Sequence, residues 1–346
     1  MRLRVGLIGL GEAWEQRYRP ALRALGDRFE VRAVCEQVQH RAELAAAEFD
    51  AAAVDSFRAL VRREDLDAVL ILSSEWYGAL PLLAACDAGK AVYYGTSFYF
   101  EPEQVRVVRQ RVEQSGIAFV VEFPRRHWPA TLRLKELIAT KLGPPRLLFC
   151  HHRLAASKQA GQVLPHRPQL PVMVELVELV DWCCYVVGKK PTLVTGTMHR
   201  SGPHPADHDY QMMSLDFSDP SAPGTGPLAQ ISCGRYFPAR WHEAIAYRPL
   251  PALQVGCDSG IAFIDHPSDL VWFDEAGRQQ ESFESERPLG EVLLSNFHRA
   301  VTSLVRKTCD LEDACRALAI VEQAAESYRQ GRRIELANVD ERSTGQ

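Results

Sequence analysis

The chain is poor in the features that staple a small fold, span a bilayer or grip a polyanion. Its nine cysteines are scattered from position 35 to 315 without a C-x-x-C pair. Their odd count and wide spacing exclude a disulfide framework or a zinc ribbon as the organising device. No apolar run approaches the roughly 20 residues that a membrane helix needs, and the first residues show no charged region followed by an apolar one, as a secretory leader would. Forty basic against 44 acidic side chains give a net charge of -4 with no long basic run, so neither nucleic acid nor a membrane surface is the expected partner. The expectation is a cytoplasmic protein with reduced thiols that binds a small neutral or anionic molecule.

What is present suffices for two ordinary cores, since 46% of the 346 residues are hydrophobic. The run Arg4-Val5-Gly6-Leu7-Ile8-Gly9-Leu10-Gly11 reads as an apolar strand entering a Gly-x-Gly turn, with a helical stretch after Pro20. Glycine at both positions permits a tight turn and lets a pyrophosphate approach backbone N–H groups near a helix N-terminus. The third small residue of the usual G-x-G-x-x-G pattern is replaced by Trp14. Its indole either walls the nucleotide pocket or fills the pyrophosphate space. Further short apolar runs at Val31 to Cys35, Ala68 to Leu72, Ala91 to Tyr94 and Ala118 to Glu122 alternate with helical patterns. That alternation predicts a doubly wound parallel sheet over residues 1–122. Glu36 ends the second strand 27 positions after Gly9, where an acid binds ribose hydroxyls and disfavours a 2'-phosphate. NAD is thus expected over NADP, although an exposed acid after a strand has the same spacing.

Residues 123–340 change character. A helix at Leu132 to Leu142 ends at Gly143-Pro144-Pro145, and strand-like runs follow at Arg146 to His151, Thr192 to Met198, Met212 to Phe217, Ala229 to Ser232, Leu253 to Gly256 and Ile261 to Ile264. Short links between them predict an antiparallel sheet. The segments His199 to His208 and Asp219 to Pro227 read as loops, and helices at Leu289 to Lys307 and Leu311 to Arg329 close the domain.

Four stretches in this order carry a family resemblance: Val5 to Leu22; Asp67-Ala68-Val69 through Ala88-Gly89-Lys90-Ala91-Val92; Phe123-Pro124-Arg125-Arg126-His127-Trp128-Pro129 with the helix after it; and Ala324-Ala325-Glu326-Ser327-Tyr328-Arg329-Gln330-Gly331-Arg332. Together the chain resembles the glucose-fructose oxidoreductase and inositol dehydrogenase (Gfo/Idh/MocA) family. The resemblance implies a Rossmann domain and an α/β domain whose open sheet supports the substrate site and often oligomerisation, hence a homo-oligomer. It also implies hydride transfer between a nicotinamide and a sugar or cyclitol carbon, with a lysine from a Glu-Lys-Pro motif acting on the hydroxyl. That motif falls on Gly95-Thr96-Ser97, and the family's Asp, His and Asp helix positions fall on Val174, Glu178 and Asp181. The Thr-Pro after the strand bordering the cofactor becomes Ser73-Ser74, and a histidine that often follows becomes Gly78.

Replacement groups are therefore sought. On the helix Val172 to Val187, Val174, Glu175, Glu178, Asp181 and Tyr185 share one face at helical spacing, with no basic residue before Lys189. Like charges this close raise one carboxyl's pKa, which would give a general acid or base. A plain polar face, or carboxylates paired with distant arginines, produces the same pattern. Glu178 and Asp181 are the catalytic candidates, with Tyr94 as a phenolic proton donor, although an aromatic at the end of a buried strand is more often core. Arg125, Arg126 and His166 are the substrate-binding candidates, the two arginines as carboxylate or phosphate forks or as ion-pair partners between domains. Gly9, Gly11, Trp14, Glu36, Ser73 and Thr96 are the cofactor-binding candidates. Histidines 151, 152, 199, 204 and 208 match no compact ligand set, so no metal is expected. Two other outcomes stay open: a catalytically silent relative acting as a nucleotide or metabolite sensor or partner-binding subunit, and a lyase or epimerase that retains NAD.

Overall fold

In the computed structural model the described residues are 1–73, 76–156, 170–200, 208–238, 243, 251–283, 287–303 and 310–336. They form two compact units, Met1–Pro124 with Glu286–Cys315, and Arg125–Ser285 with Arg316–Gln346.

The first unit alternates strands and helices: β1 (Leu3–Ile8), α1 (Arg19–Ala24), β2 (Phe29–Cys35), α2 (Gln39–Glu48), β3 (Ala52–Ala53), α3 (Phe57–Val61), β4 (Ala68–Ile71), α4 (Leu80–Asp87), β5 (Ala91–Tyr94), α5 (Pro102–Ser115) and β6 (Phe119–Val121). The strands are all parallel in the order β3-β2-β1-β4-β5-β6. The order reverses between β1 and β4, and ligands bind outside the carboxyl ends of strands at such a switch point. Continuous apolar runs make these strands because both sheet faces are covered: all residues of β4 and β5 are buried. Helix ends follow local chemistry. At α5, Glu101 and Gln104 form a reciprocal capping box, Pro102 opens the helix, and Gly116 closes it at φ 58°.

One segment returns from far along the sequence. Helix α8 (Leu289–Thr302), which the sequence pattern places in the second domain, packs Leu293, Leu294 and Phe297 into the core of the first with Leu3, Leu7, Tyr18 and Tyr93. Gly290 permits it, since a Cβ there would lie 2.5 Å from the Arg17 carbonyl oxygen. Each such buried side chain contributes about 1.5–3 kcal/mol of transfer free energy.

The second unit is one sheet with helices on one face. After α6 (Pro129–Leu137) come β7 (Pro145–Ala156), α7 (Leu170–Val187), β8 (Leu193–Arg200), β9 (His208–Asp216), β10 (Leu228–Pro238), β11 (Leu253–Cys257), β12 (Gly260–Ile264), β13 (Asp269–Asp274), β14 (Gly277–Ser282), α9 (Leu311–Gln330) and β15 (Ile334–Glu335). The order is β14-β13-β12-β11-β7-β10-β9-β8-β15. Among the described residues only β7 and β10 pair parallel, so the sheet is mostly antiparallel as expected. The alternation is plain on β7, where Leu148 and Cys150 are buried while Leu147 and Phe149 are exposed. The exposed set continues across the same face to Leu228, which pairs with Leu147, and to Phe273 on β13.

Candidate functional site

The first candidate surface lies at the carboxyl ends of the first unit's strands. Gly9 and Gly11 have φ of 65° and 67°, the left-handed region that a Cβ disfavours. A Cβ on Gly9 would meet the Ser73 carbonyl oxygen at 2.6 Å, and one on Gly11 the Leu72 carbonyl oxygen at 2.6 Å. The loop therefore lies directly against the end of β4. The Leu10 N–H donates to Glu36 Oε2 at 2.7 Å and the Gln37 N–H to Glu36 Oε1 at 2.8 Å, so the carboxylate ending β2 is held beside the glycine loop. Each carboxylate oxygen retains a second acceptor site for a hydroxyl. The backbone N–H groups of Gly11, Glu12 and Ala13 meet no protein acceptor among the described residues. Left-handed glycines, free N–H groups and a fixed acid at a switch point fit a dinucleotide. Ser73 and Thr96 are both half-buried, Ser73 against Gly9.

Trp14 presents no wall to a nucleotide. Its indole is 4% exposed and meets Phe49 edge-on at 6.0 Å, in one core with Ala42, Ala45 and Ala46. It stands in a π-helical turn, Trp14–Tyr18, that precedes α1, and presents almost no surface to a ligand. Tyr94 is also corrected. Fully buried, its ring packs against Phe98, Phe100 and Phe119, so it is a core side chain.

Sequence inspection missed the polar center under this edge. Glu122, just past β6, is buried and accepts from Arg17 Nη1, from Tyr18 Oη and, at 2.8 Å, from Tyr93 Oη. Tyr18 Oη also lies 2.9 Å from the Gly95 carbonyl oxygen. A phenol has one proton for these two acceptors. Burial pushes the Glu122 carboxyl up, against the opposing pull of Arg17 and both phenols, and pushes Tyr18 and Tyr93 far up. The same two phenols crowd Gly95. A Cβ on Gly95 would lie 2.6 Å from Tyr18 Oη and 2.7 Å from Tyr93 Cε1, so rebuilding Glu-Lys-Pro there cannot leave stability intact.

The second candidate surface is the acidic stripe of α7. The structure joins two groups that sequence treated separately: the arginines before α6 are the partners of the acids on α7. Arg125 contacts both Glu175 and Glu178, and Arg126 forks onto Asp181, with Nε to Oδ2 at 2.7 Å. Arg125 lies over Trp128 and Trp182 at 5.5 and 5.9 Å, and Arg126 over Tyr185 at 5.4 Å. Each acid thus faces a guanidinium rather than another carboxylate. Asp181 is 3% exposed, whereas the Glu178 side chain is 26% exposed. His166 lies outside the described residues.

His152 joins this array, its Nδ1 3.6 Å from Glu175 Oε1. Burial and Arg125 hold its pKa below the ordinary imidazole value although Glu175 pulls the other way. Neighbouring His151 contacts Ser232 Oγ through Nδ1 at 2.6 Å and receives the Arg153 Nε donor on Nε2 at 3.4 Å. Arginine only donates, so that contact assigns the proton to Nδ1. Among the described residues no cluster of three or more His, Cys, Asp or Glu is arranged to hold a metal ion, and no helix is long and apolar enough to cross a membrane.

The parallel sheet, its strand order and the glycine loop define a Rossmann-like fold. Residues 3–123 match the model of the oxidoreductase family with an NAD-binding Rossmann fold, Gfo/Idh/MocA. An inositol 2-dehydrogenase of Saccharopolyspora erythraea is 32% identical over 155 residues, covering 44% of this chain and 46% of that protein. The matched stretch thus spans about half the length of this curated relative. An oxidoreductase from Thermotoga maritima superposes with a TM-score of 0.79 at 16% identity, covering 98% of this chain and 100% of that one. A myo-inositol 2-dehydrogenase from Lactobacillus plantarum does so at 0.74 and 18%, covering 97% and 99%. Residues 3–123 are thus similar to the NAD-binding domain of the Gfo/Idh/MocA oxidoreductase family.

Proposed function

We propose that this protein is an NAD-dependent oxidoreductase that acts on a sugar-like or polyol-derived small molecule. The observation that carries this reading is the Gly9–Gly11 loop fastened to Glu36 at the switch point of the parallel sheet. Gly9, Gly11, Glu36, Ser73 and Thr96 hold the dinucleotide, and the Glu36 carboxylate repels a 2'-phosphate, favouring NAD over NADP. A bound nicotinamide supplies the hydride acceptor or donor. Glu178, the most exposed acid of the α7 stripe, moves the proton of the reacting hydroxyl, and Asp181 is held by Arg126 as a positioning residue. The apolar face of the second unit's sheet, with Leu147, Phe149, Leu228 and Phe273 exposed, is proposed to bury itself in a homo-oligomer. The free cysteines among the described residues suit a cytoplasmic protein.

A second reading, a catalytically silent nucleotide or metabolite sensor or partner-binding subunit, is favoured by one observation. Both arginines are committed to the acids, and Tyr94 is buried.

Titration calorimetry with NADH and NADPH, on protein checked by denaturation for carried-over nucleotide, tests the proposal. NADH binding, or NAD(H) released on denaturation, is expected. Failure to bind either nucleotide, with none released, overturns it.

A further inference from the structure

Tyr18 joins two stretches of the first unit that the strand order keeps apart. It ends the π-helical turn that follows the glycine loop of β1, and its phenol oxygen lies 2.9 Å from the carbonyl oxygen of Gly95, just past β5. Strand β4 stands between β1 and β5 in the sheet, so those two strands run roughly 10 Å apart at the usual spacing. A side chain, not the ladder, makes the bridge. Consecutive side chains of an α-helix diverge by about 100°, yet Arg17 and Tyr18 both reach Glu122, one carboxylate oxygen each. Turns of this kind are rare and often mark functional sites. At the far end, the Gly95 N–H donates to the Ile71 carbonyl at 2.9 Å and the Glu122 N–H to the Tyr94 carbonyl at 3.0 Å. With Tyr18 on its carbonyl, both polar backbone atoms of Gly95 have partners, and the turn into Thr96 starts from a fixed point. Tyr18 is fully buried, so it touches no ligand itself and acts on one only through Gly95.

We propose that Tyr18 is a positioning residue that locks the turn carrying Thr96 to the glycine loop, so that two separate stretches of the dinucleotide site keep one spacing. The assignment rests on the dinucleotide reading above. In that reading a diphosphate and its ribose take the glycine loop and Glu36, which leaves the rest of the dinucleotide to Ser73 and Thr96. A ligand that uses both stretches binds better when their spacing is set in advance, because it need not order them, whereas a ligand that uses only the first is indifferent to the lock. Glu122 and Arg17 serve the lock by holding Tyr18.

The test titrates wild type, Tyr18→Phe and Tyr93→Phe with NADH and with ADP, which carries the diphosphate and one ribose only, reading Kd by calorimetry. Tyr18→Phe removes just the oxygen between Glu122 and Gly95. It should weaken NADH about 2- to 13-fold, the worth of one hydrogen bond, while ADP binds as it does to the wild type. Tyr93→Phe takes the other phenol from the same carboxylate, a contact of 2.8 Å, and leaves the Gly95 carbonyl its partner. It should lower thermal stability as Tyr18→Phe does and leave the NADH-to-ADP ratio of Kd unchanged. If Tyr18→Phe does not fold, Glu122→Gln, which loosens the phenol without touching the Gly95 carbonyl, takes its place with the same split expected. An unchanged ratio in the Tyr18 or Glu122 variant overturns the lock and leaves the dinucleotide reading standing, and so does an equal change of ratio in Tyr93→Phe, since loosening of the buried center would then suffice. If the wild type binds no NADH, the dinucleotide reading falls and the lock with it.

Discussion

The Tyr18 phenol occupies the space into which any side chain at Gly95 would grow, with its oxygen 2.9 Å from the Gly95 carbonyl and in contact with Glu122. A Cβ at Gly95 would sit inside normal contact with Tyr18 and Tyr93, both fully buried. Gly95→Ala is expected to cost about 1–3 kcal/mol, the range for overpacking a tight core. Gly95→Glu with Thr96→Lys and Ser97→Pro is expected to lose more and gain no NADH affinity. Urea unfolding and calorimetry of the two variants check this.

Removing Arg125 strands two carboxylates. Its side chain is 10% exposed, between Glu175 and Glu178 at 16% and 26%. Breaking one partner out of such a buried array costs about 3–5 kcal/mol, whereas replacing the whole set by neutral groups costs much less. Arg125→Met alone should therefore lower urea stability strongly. Arg125→Met with Glu175→Gln and Glu178→Gln should recover most of it.

Glu178→Gln separates chemistry from architecture. With a polyol substrate found by screening with NAD, turnover is expected to fall about 10²- to 10⁴-fold, the usual contribution of general acid-base catalysis. NADH affinity should be nearly unchanged, because the proposal gives Glu178 the substrate hydroxyl and the holding of the nucleotide to other residues. Undiminished turnover would remove Glu178 from the mechanism.

The two histidines of β7 make stability fall with acid. His151 and His152 both have pKa values below the ordinary 6.5, burial being the first cause, with Arg153 and Arg125 respectively adding to it. A depressed imidazole pKa means that the unfolded chain takes up the proton first. The stabilisation is complete above pH 6.5 and is lost as pH falls through the folded values. Urea unfolding at pH 7.5 and 5.5 should show a loss for the wild type that shrinks in His152→Gln. An equal loss in that variant would remove His152 from the effect.

The first sheet was legible because its pattern is local: continuous apolar runs alternate with helices, and a Gly-x-Gly follows the first strand. Two-residue β3, exposed on both positions, carries no such signal. In the second unit β13 and β14 escaped notice because β14, Gly-Arg-Gln-Gln-Glu-Ser, is mostly exposed and polar at the sheet edge. The acid stripe of α7 was readable from its spacing, but its neutralisation comes from arginines about 50 positions earlier, a distance that periodicity cannot bridge. Glu122 was hidden for the opposite reason. At the end of an apolar strand it looks like the start of a loop, and only Tyr18, Tyr93 and Arg17, brought in from other elements, make it a buried polar center.

The return of α8 to the first unit sets a timetable for synthesis. Phe297 packs edge-on against Tyr93 at 5.5 Å, yet roughly two hundred residues must be translated between them. At about 5–20 residues per second, the nascent Rossmann sheet waits on the order of ten seconds or longer with the seat for Leu293, Leu294 and Phe297 uncovered. A chain halted before Leu289 would leave the ribosome with that apolar seat open, a surface suited to holding by a chaperone.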